Sequence, residues 1–102
     1  CYVDLIAFGV IRGLLDLGYR VPEDVSVVGY DNMSFTEATW PSLTTVDISL
    51  DTLCDSACNL LLRRLEEKSE NEEEDAQAAP HEKIILEPRL VLRESVYRRA
   101  VL

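Results

Sequence analysis

The stretch that decides the fold is Arg20-Val21-Pro22-Glu23-Asp24-Val25-Ser26-Val27-Val28-Gly29-Tyr30-Asp31-Asn32. Tyr19 to Asp24 reads as a polar turn around Pro22. Val25 to Tyr30 is short, β-branched and nearly all apolar, which predicts a parallel strand buried on both faces. Upstream, Asp4 to Leu17 reads as a helix with Asp4 as its N-cap and Leu5, Phe8, Ile11, Leu14 and Leu15 at three- and four-residue steps. Arg12 and Asp16 form an i, i+4 pair on its polar side. Gly9 and Gly13 lie within it, each costing about 1 kcal/mol relative to Ala, which predicts close packing against another backbone. Gly18 stops the helix in a left-handed cap. Helix, tight loop and buried strand in succession are parts of an α/β fold, a parallel sheet flanked by helices. Ligands of open parallel sheets bind beyond the carboxyl ends of the strands, so Asp31 is a site candidate; its other reading is a turn-forming Asx residue.

Downstream, Met33 to Thr39 reads as a short helix with Ser34 as cap and Glu37 at the capping-box position, broken by Trp40-Pro41-Ser42. Leu43 to Ile48 has strand composition. Ser49 or Asp51 then caps a helix in which Leu50, Leu53, Cys54, Ala57, Leu61 and Leu65 make one face and Asp51, Asp55, Asn59, Arg63 and Glu66 the other. Glu67 to His81 reads as a loop. Two short apolar runs follow, Ile84–Leu86 and Leu90–Leu92, and the tail from Arg93 to Leu102 shows no pattern.

With 102 residues, 47% hydrophobic and 28% charged, the chain is at most one domain or part of a larger one, and wholesale disorder is excluded. Four Gly, four Pro and three Cys exclude a collagen-like or disulfide-stapled scaffold. No apolar run approaches the roughly 18–20 residues of a membrane span. The balance of 19 acidic against 10 basic residues argues against direct binding to nucleic acid, which needs clustered Lys and Arg. Glu66 to Asp75 holds seven acidic residues and one Lys; it reads as a solvated, flexible loop, or else as a contact for a basic partner.

Cys54 and Cys58 lie four apart on one helix face, a weak metal signal without a second pair, and read instead as buried reduced thiols. His81 reads as a surface residue. Glycine-rich phosphate loops, GxSxG and HExxH are missing, so the sequence assigns no catalytic residue, no metal and no cofactor, and the expectation is a protein that is not an enzyme. The chain opens on Cys1 with no signal segment, from which we expect a processed form or, better, a fragment.

Four strings carry a resemblance. They are Asp4-Leu5-Ile6-Ala7-Phe8-Gly9, the Arg20–Asn32 stretch, Pro41-Ser42-Leu43-Thr44-Thr45-Val46 and Leu90-Val91-Leu92-Arg93-Glu94-Ser95. In this order they closely resemble the C-terminal part of LacI/GalR-family transcriptional regulators, over nearly the whole chain but only the last third of a family member. The resemblance implies a partial type I periplasmic-binding-protein-like fold from a two-lobed module. Residues 1–46 would belong to the second lobe, 47–86 to a crossover strand, helix and acidic loop of the first, and 87–102 to a return segment and tail.

The resemblance also implies a small-molecule effector, a sugar or related metabolite, a cytoplasmic homodimer, and operator DNA bound only through a helix-turn-helix domain that this chain lacks. Asp31 matches an aspartate that contacts the effector, and Leu50 an apolar or aromatic ligand contact, though Leu50 also reads as the first core residue of its helix. Val3 stands where many members have an effector-contacting Asn, and it offers no hydrogen bond. Phe8, Arg12, Ala38 and Thr39 match positions packed across the dimer interface; Phe8 has a second reading as core. Two other function classes stand beside this one: a solute-binding protein of a sugar transport system with the same fold, and a self-contained interaction module using the acidic segment.

Overall fold

The computed structural model describes residues 1–70 and 81–98. The chain divides into two compact units, one of Cys1–Ile48 with Pro88–Leu102 and the other of Ser49–Glu87.

In the first unit, helix α1 spans Asp4–Asp16. It ends as the glycine predicted: Gly18 has φ +86°, its N–H bonds to Leu15 O at 3.0 Å and that of Tyr19 to Leu14 O at 2.9 Å, a Schellman closure that satisfies the last carbonyls. The start differs from the expectation. Val3, in extended conformation, is the N-cap and no side chain caps the helix; Asp4 lies inside α1 and is fully buried. The buried stripe is therefore Asp4, Ala7 and Ile11, with Leu14 packed against it, while Leu5, Phe8 and Leu15 are exposed. The rotation follows from Asp4, whose carboxylate has buried hydrogen-bond partners and turns its own face inward. Gly9 and Gly13 face open space, since a methyl group at either would meet nothing within 4 Å. The close backbone approach expected there is not found among the described residues.

Strand β1 covers Thr45–Asp47 and pairs antiparallel with β2, Arg89–Val91, in the register Thr45–Val91, Val46–Leu90, Asp47–Arg89. The segment of Val25 to Asp31 runs parallel along β1 through bridges Val28–Thr44 and Asp31–Asp47, with Gly29 N–H to Thr44 O at 2.9 Å and Asp31 N–H to Val46 O at 3.0 Å. It is the expected parallel arrangement, but not buried on both faces. Val27 and Gly29 point inward, Val28 is half-buried and Tyr30 exposed, the alternation of a strand covered on one side. Ala7, Ile11, Val21, Val27 and Leu43 form the core of this unit. Each such apolar side chain of Val or Leu size stabilises by roughly 1.5–3 kcal/mol on full burial.

Ser34–Glu37 forms a single turn of 3₁₀-helix after Met33 instead of a capped α-helix, and Ser34 makes no cap bond. The loop before the parallel segment is closed by a fork: Arg20 donates from its backbone N–H (2.8 Å), Nε (3.1 Å) and Nη2 (3.0 Å) to the Asp24 carboxylate. Those side-chain and backbone hydrogen bonds from Arg20 hold the Asp24 carboxyl below the usual carboxylate range.

In the second unit, α2 runs Leu50–Glu70, longer than expected, because Glu66, Glu67, Lys68 and Glu70 are good helix formers that continue the pattern into the acidic run. Residues 71–80, with the rest of that run, lie outside the described residues. No residue of α2 is buried; Leu50, Leu53, Leu61 and Leu65 of its apolar face are exposed. The same uncovered face leaves Cys54 and Cys58 exposed free thiols, which overturns their reading as buried. His81 is exposed, and Arg63 pairs with Glu82. Among the described residues no helix is long and apolar enough to cross a membrane.

Candidate functional site

The site is built at the end of the parallel segment, where Asp31 (φ +111°) and Asn32 (φ +57°) both occupy the left-handed region. L-residues avoid that backbone, with Asn and Asp among the few that tolerate it. Four neighbours tie the turn down. Asp4 donates its backbone N–H to Tyr30 O at 3.0 Å and accepts Met33 N–H at 2.7 Å on its carboxylate. Thr45 accepts Asn32 N–H at 3.3 Å and donates its hydroxyl to Asp4 at 2.5 Å. Val46 O takes Asp31 N–H, and Arg93 Nη2 donates to Asn32 Oδ1 at 2.9 Å. Gly29 is required beside this cluster, because a Cβ there would fall inside the Asp4 carboxylate and 2.9 Å from Leu43 Cδ2.

What the turn presents is the half-buried Asp31 side chain. Among the described residues no hydrogen bond or ion pair occupies its carboxylate. The neighbouring Asp47 carboxylate faces Arg89 at 3.6 Å, which offsets the second negative charge on this edge. A concavity of about 390 Å³ opens against Asp31, lined by Cys1, Tyr2, Val3 and Tyr30. Its size falls in the range of small-molecule sites. A lone carboxylate with aromatic and apolar walls can accept two hydroxyls while carbon-rich ring faces lie against the walls.

Asp31 and Val3 thus meet at one concavity. Leu50 belongs to the second unit, on the first turn of α2, where it is exposed. Phe8 and Arg12 are exposed on α1, Phe8 touching Phe35 edge to face with ring centroids 6.3 Å apart and Arg12 pairing with Asp16. Ala38 is exposed, and the Thr39 hydroxyl is used internally, on Thr36 O at 3.1 Å and Pro41 O at 3.0 Å. The residues that sequence reasoning missed are Asp4, Thr45 and Arg93, the supports of the turn. No local signal marks Arg93, whose acceptors lie 50 to 61 residues upstream.

With its parallel segment ending in an acidic turn over an open concavity, the chain belongs to the periplasmic binding protein-like domain family, whose pattern matches residues 1–96. Within that family its relatives are LacI-type regulators. It is 38% identical to the HTH-type transcriptional repressor PurR of Histophilus somni over 96 residues, covering 94% of this chain and 26% of that protein. The crystal structure of a LacI-type transcription regulator from Bifidobacterium animalis subsp. lactis superposes with a TM-score of 0.79 at 30% identity, over 93% of this chain and 31% of that one. A LacI family transcriptional regulator from Enterococcus faecalis with bound ribose superposes with a TM-score of 0.78 at 35% identity, over 92% and 32%. These similarities favour a regulator over a transport protein. The chain spans about a quarter of the length of the curated relatives it matches, 26% in the first case.

Proposed function

We propose that this chain is the effector-sensing part of a LacI-type transcription regulator that is not an enzyme, with a sugar or related polyhydroxylated metabolite held against Asp31. The observation that carries the reading is the Asp31 carboxylate at the end of the parallel segment, unpaired among the described residues and facing a concavity it shares with Val3. Hydrogen bonds to a charged acceptor are worth about 1.5–3 kcal/mol each, enough for one carboxylate to orient a sugar. Val3 supplies an apolar wall in place of an amide, so the hydrogen bonds on that side fall to Asp31. Leu50 is proposed as an apolar ligand contact. The division of the chain after Ile48 and before Pro88 supports residues 1–46 and 87–102 as second-lobe segments and 47–86 as first-lobe.

The proposed protein is a cytoplasmic homodimer through Phe8, Arg12, Ala38 and Thr39, and it reaches operator DNA through a separate helix-turn-helix domain. The −9 net charge supports that division of labour, since this segment repels phosphate. Calorimetry on the full-length protein with ribose and a panel of mono- and disaccharides tests the reading. Asp31→Ala weakens binding of whichever sugar binds by about tenfold or more. Unchanged affinity in that variant removes Asp31 from the site.

A further inference from the structure

The Asp31 carboxylate stands on two consecutive left-handed residues, and that backbone persists only where the surroundings hold it. We propose that Arg93 is the positioning residue of this turn: its guanidinium grips Asn32 and Met33, the two residues after Asp31, and so fixes the direction in which Asp31 offers its oxygens. The significance of that direction rests on the reading of Asp31 as a ligand contact.

The grip is direct on one residue and relayed to the next. Arg93 Nη2 donates to Asn32 Oδ1 at 2.9 Å; Nη1 donates to Leu43 O at 2.9 Å and to Thr36 Oγ1 at 2.9 Å. The Thr36 hydroxyl in turn donates a hydrogen bond to Met33 O at 2.6 Å. The Arg93 side chain is only 12% exposed, so water competes little for these acceptors, and Glu37 at 3.4 Å supplies a counter-charge at the rim. A planar fork spans Asn32, Thr36 and Leu43 at once; a Lys ammonium is a point donor on a flexible stem and does not.

Arg93 has a second possible role, as a strap that pins the return segment to the unit. The neighbouring residues already do that. Ser95 accepts Thr44 N–H and donates to Val27 O through its hydroxyl, and its backbone bonds Val27 and Ser42. Glu94 and Ser42 exchange two further bonds, Ser42 N–H to Glu94 Oε2 and Glu94 N–H to Ser42 Oγ. The Arg93 backbone N–H adds one to Thr44 Oγ1. None of these uses the Arg93 side chain, which adds one bond of its own to the strap, to Leu43 O, and otherwise reaches Asn32, Thr36 and Glu37 at the Asp31 turn.

Hydrogen–deuterium exchange by mass spectrometry on the full-length protein separates the two roles. Arg93→Lys raises exchange at the Asp31, Asn32 and Met33 amides by about tenfold, while the amides of Val27 and Thr44 keep their protection. Asn32→Gly, which leaves Arg93 in place, accepts the left-handed backbone and removes the side-chain acceptor, gives the same local effect. Exchange that is unchanged in both variants, or raised evenly across Val27, Thr44 and the turn, overturns the inference. Calorimetry of Asp31→Ala against the same sugar panel is the independent arm. Local exchange that rises in Arg93→Lys while Asp31→Ala binds normally upholds Arg93 as the positioning residue of the turn and overturns Asp31 as a ligand contact.

Discussion

Gly29 and Asp4 lie so close that no side chain fits between them: a Cβ built on residue 29 enters the space of the Asp4 carboxylate. Asp4 cannot step aside without releasing Met33 N–H and the Thr45 hydroxyl. Gly29→Ala therefore destabilises the first unit by about 1–3 kcal/mol, the range for forced overpacking of a well-packed interior. Urea denaturation of the full-length protein checks this, and an unchanged midpoint shows that the contact relaxes freely.

Asp4 itself separates charge from hydrogen bonding. Asp4→Ala leaves the buried Thr45 hydroxyl without its acceptor, at about 1–3 kcal/mol, and frees the part-buried Met33 N–H as well. Asp4→Asn keeps one carbonyl acceptor and recovers part of the loss. The expected order of thermal midpoints is wild type, Asp4→Asn, then Asp4→Ala. The same order should appear in sugar affinity, because the Asp4 carboxylate holds the Asp31 turn at Met33 N–H and, through the Thr45 hydroxyl, at Asn32 N–H.

The sequence made α1, the Gly18 stop, the parallel run of Val25 to Asp31 and the long helix α2 legible, because hydrophobic period and punctuation residues are local signals. It misassigned Asp4, since an Asp at the start of an apolar helical pattern reads as a cap unless one knows that Thr45 and Met33 N–H, 41 and 29 residues away, converge on it. Arg93 was invisible for the same reason: its acceptors lie 50 to 61 residues upstream, and nothing in the Arg93 to Leu102 composition announces them. Asp31 was a candidate from a rule about strand ends, with a turn-forming Asx as its other reading, and that rule does not show how a residue is held. The apolar faces of α2 misled in the other direction, as patterning predicts burial without supplying what covers the helix.

Ser95 is fully buried with its hydroxyl bonded on two sides, to Val27 O at 2.6 Å and from Thr44 N–H at 2.8 Å. Ser95→Ala leaves both backbone groups unpaired in the interior and destabilises by about 1–3 kcal/mol. In contrast with Arg93→Lys, it loosens Val27 and Thr44 together, which peptide-resolved exchange reads directly.

The Arg20–Asp24 fork predicts a pH dependence. Asp24 is lowered from its ordinary value of 3.8, chiefly by the side-chain and backbone hydrogen bonds from Arg20. A carboxylate with a depressed folded-state pKa stabilises fully above its unfolded value and loses that contribution as pH falls through the folded value. Wild type is then more stable than Asp24→Asn at neutral pH, and the two converge as pH drops well past 3.8. The fork is solvent-exposed, so the difference shrinks with added salt. Thermal melts of both forms across pH 2–7 check this; a constant gap over that range assigns the effect to packing instead of charge.

The exposed face of α1 supplies the last prediction. Leu5 is 69% exposed and Phe8 47%, although both are large apolar residues on a well-formed helix. Phe8 makes one edge-to-face contact with Phe35 and leaves the rest of its ring outward, the disposition of an anchor that fills a partner's pocket. On the proposed dimer, Phe8→Glu replaces that anchor with a charge and weakens self-association by about thirtyfold or more, matching a hot-spot loss of roughly 2 kcal/mol. Arg12→Ala, which removes an exposed charge already paired with Asp16 from that proposed interface, has a much smaller effect. Sedimentation equilibrium of the full-length protein reads both. If Phe8→Glu associates as wild type does while its melting point falls, the ring serves the fold through Phe35 and the dimer face lies elsewhere.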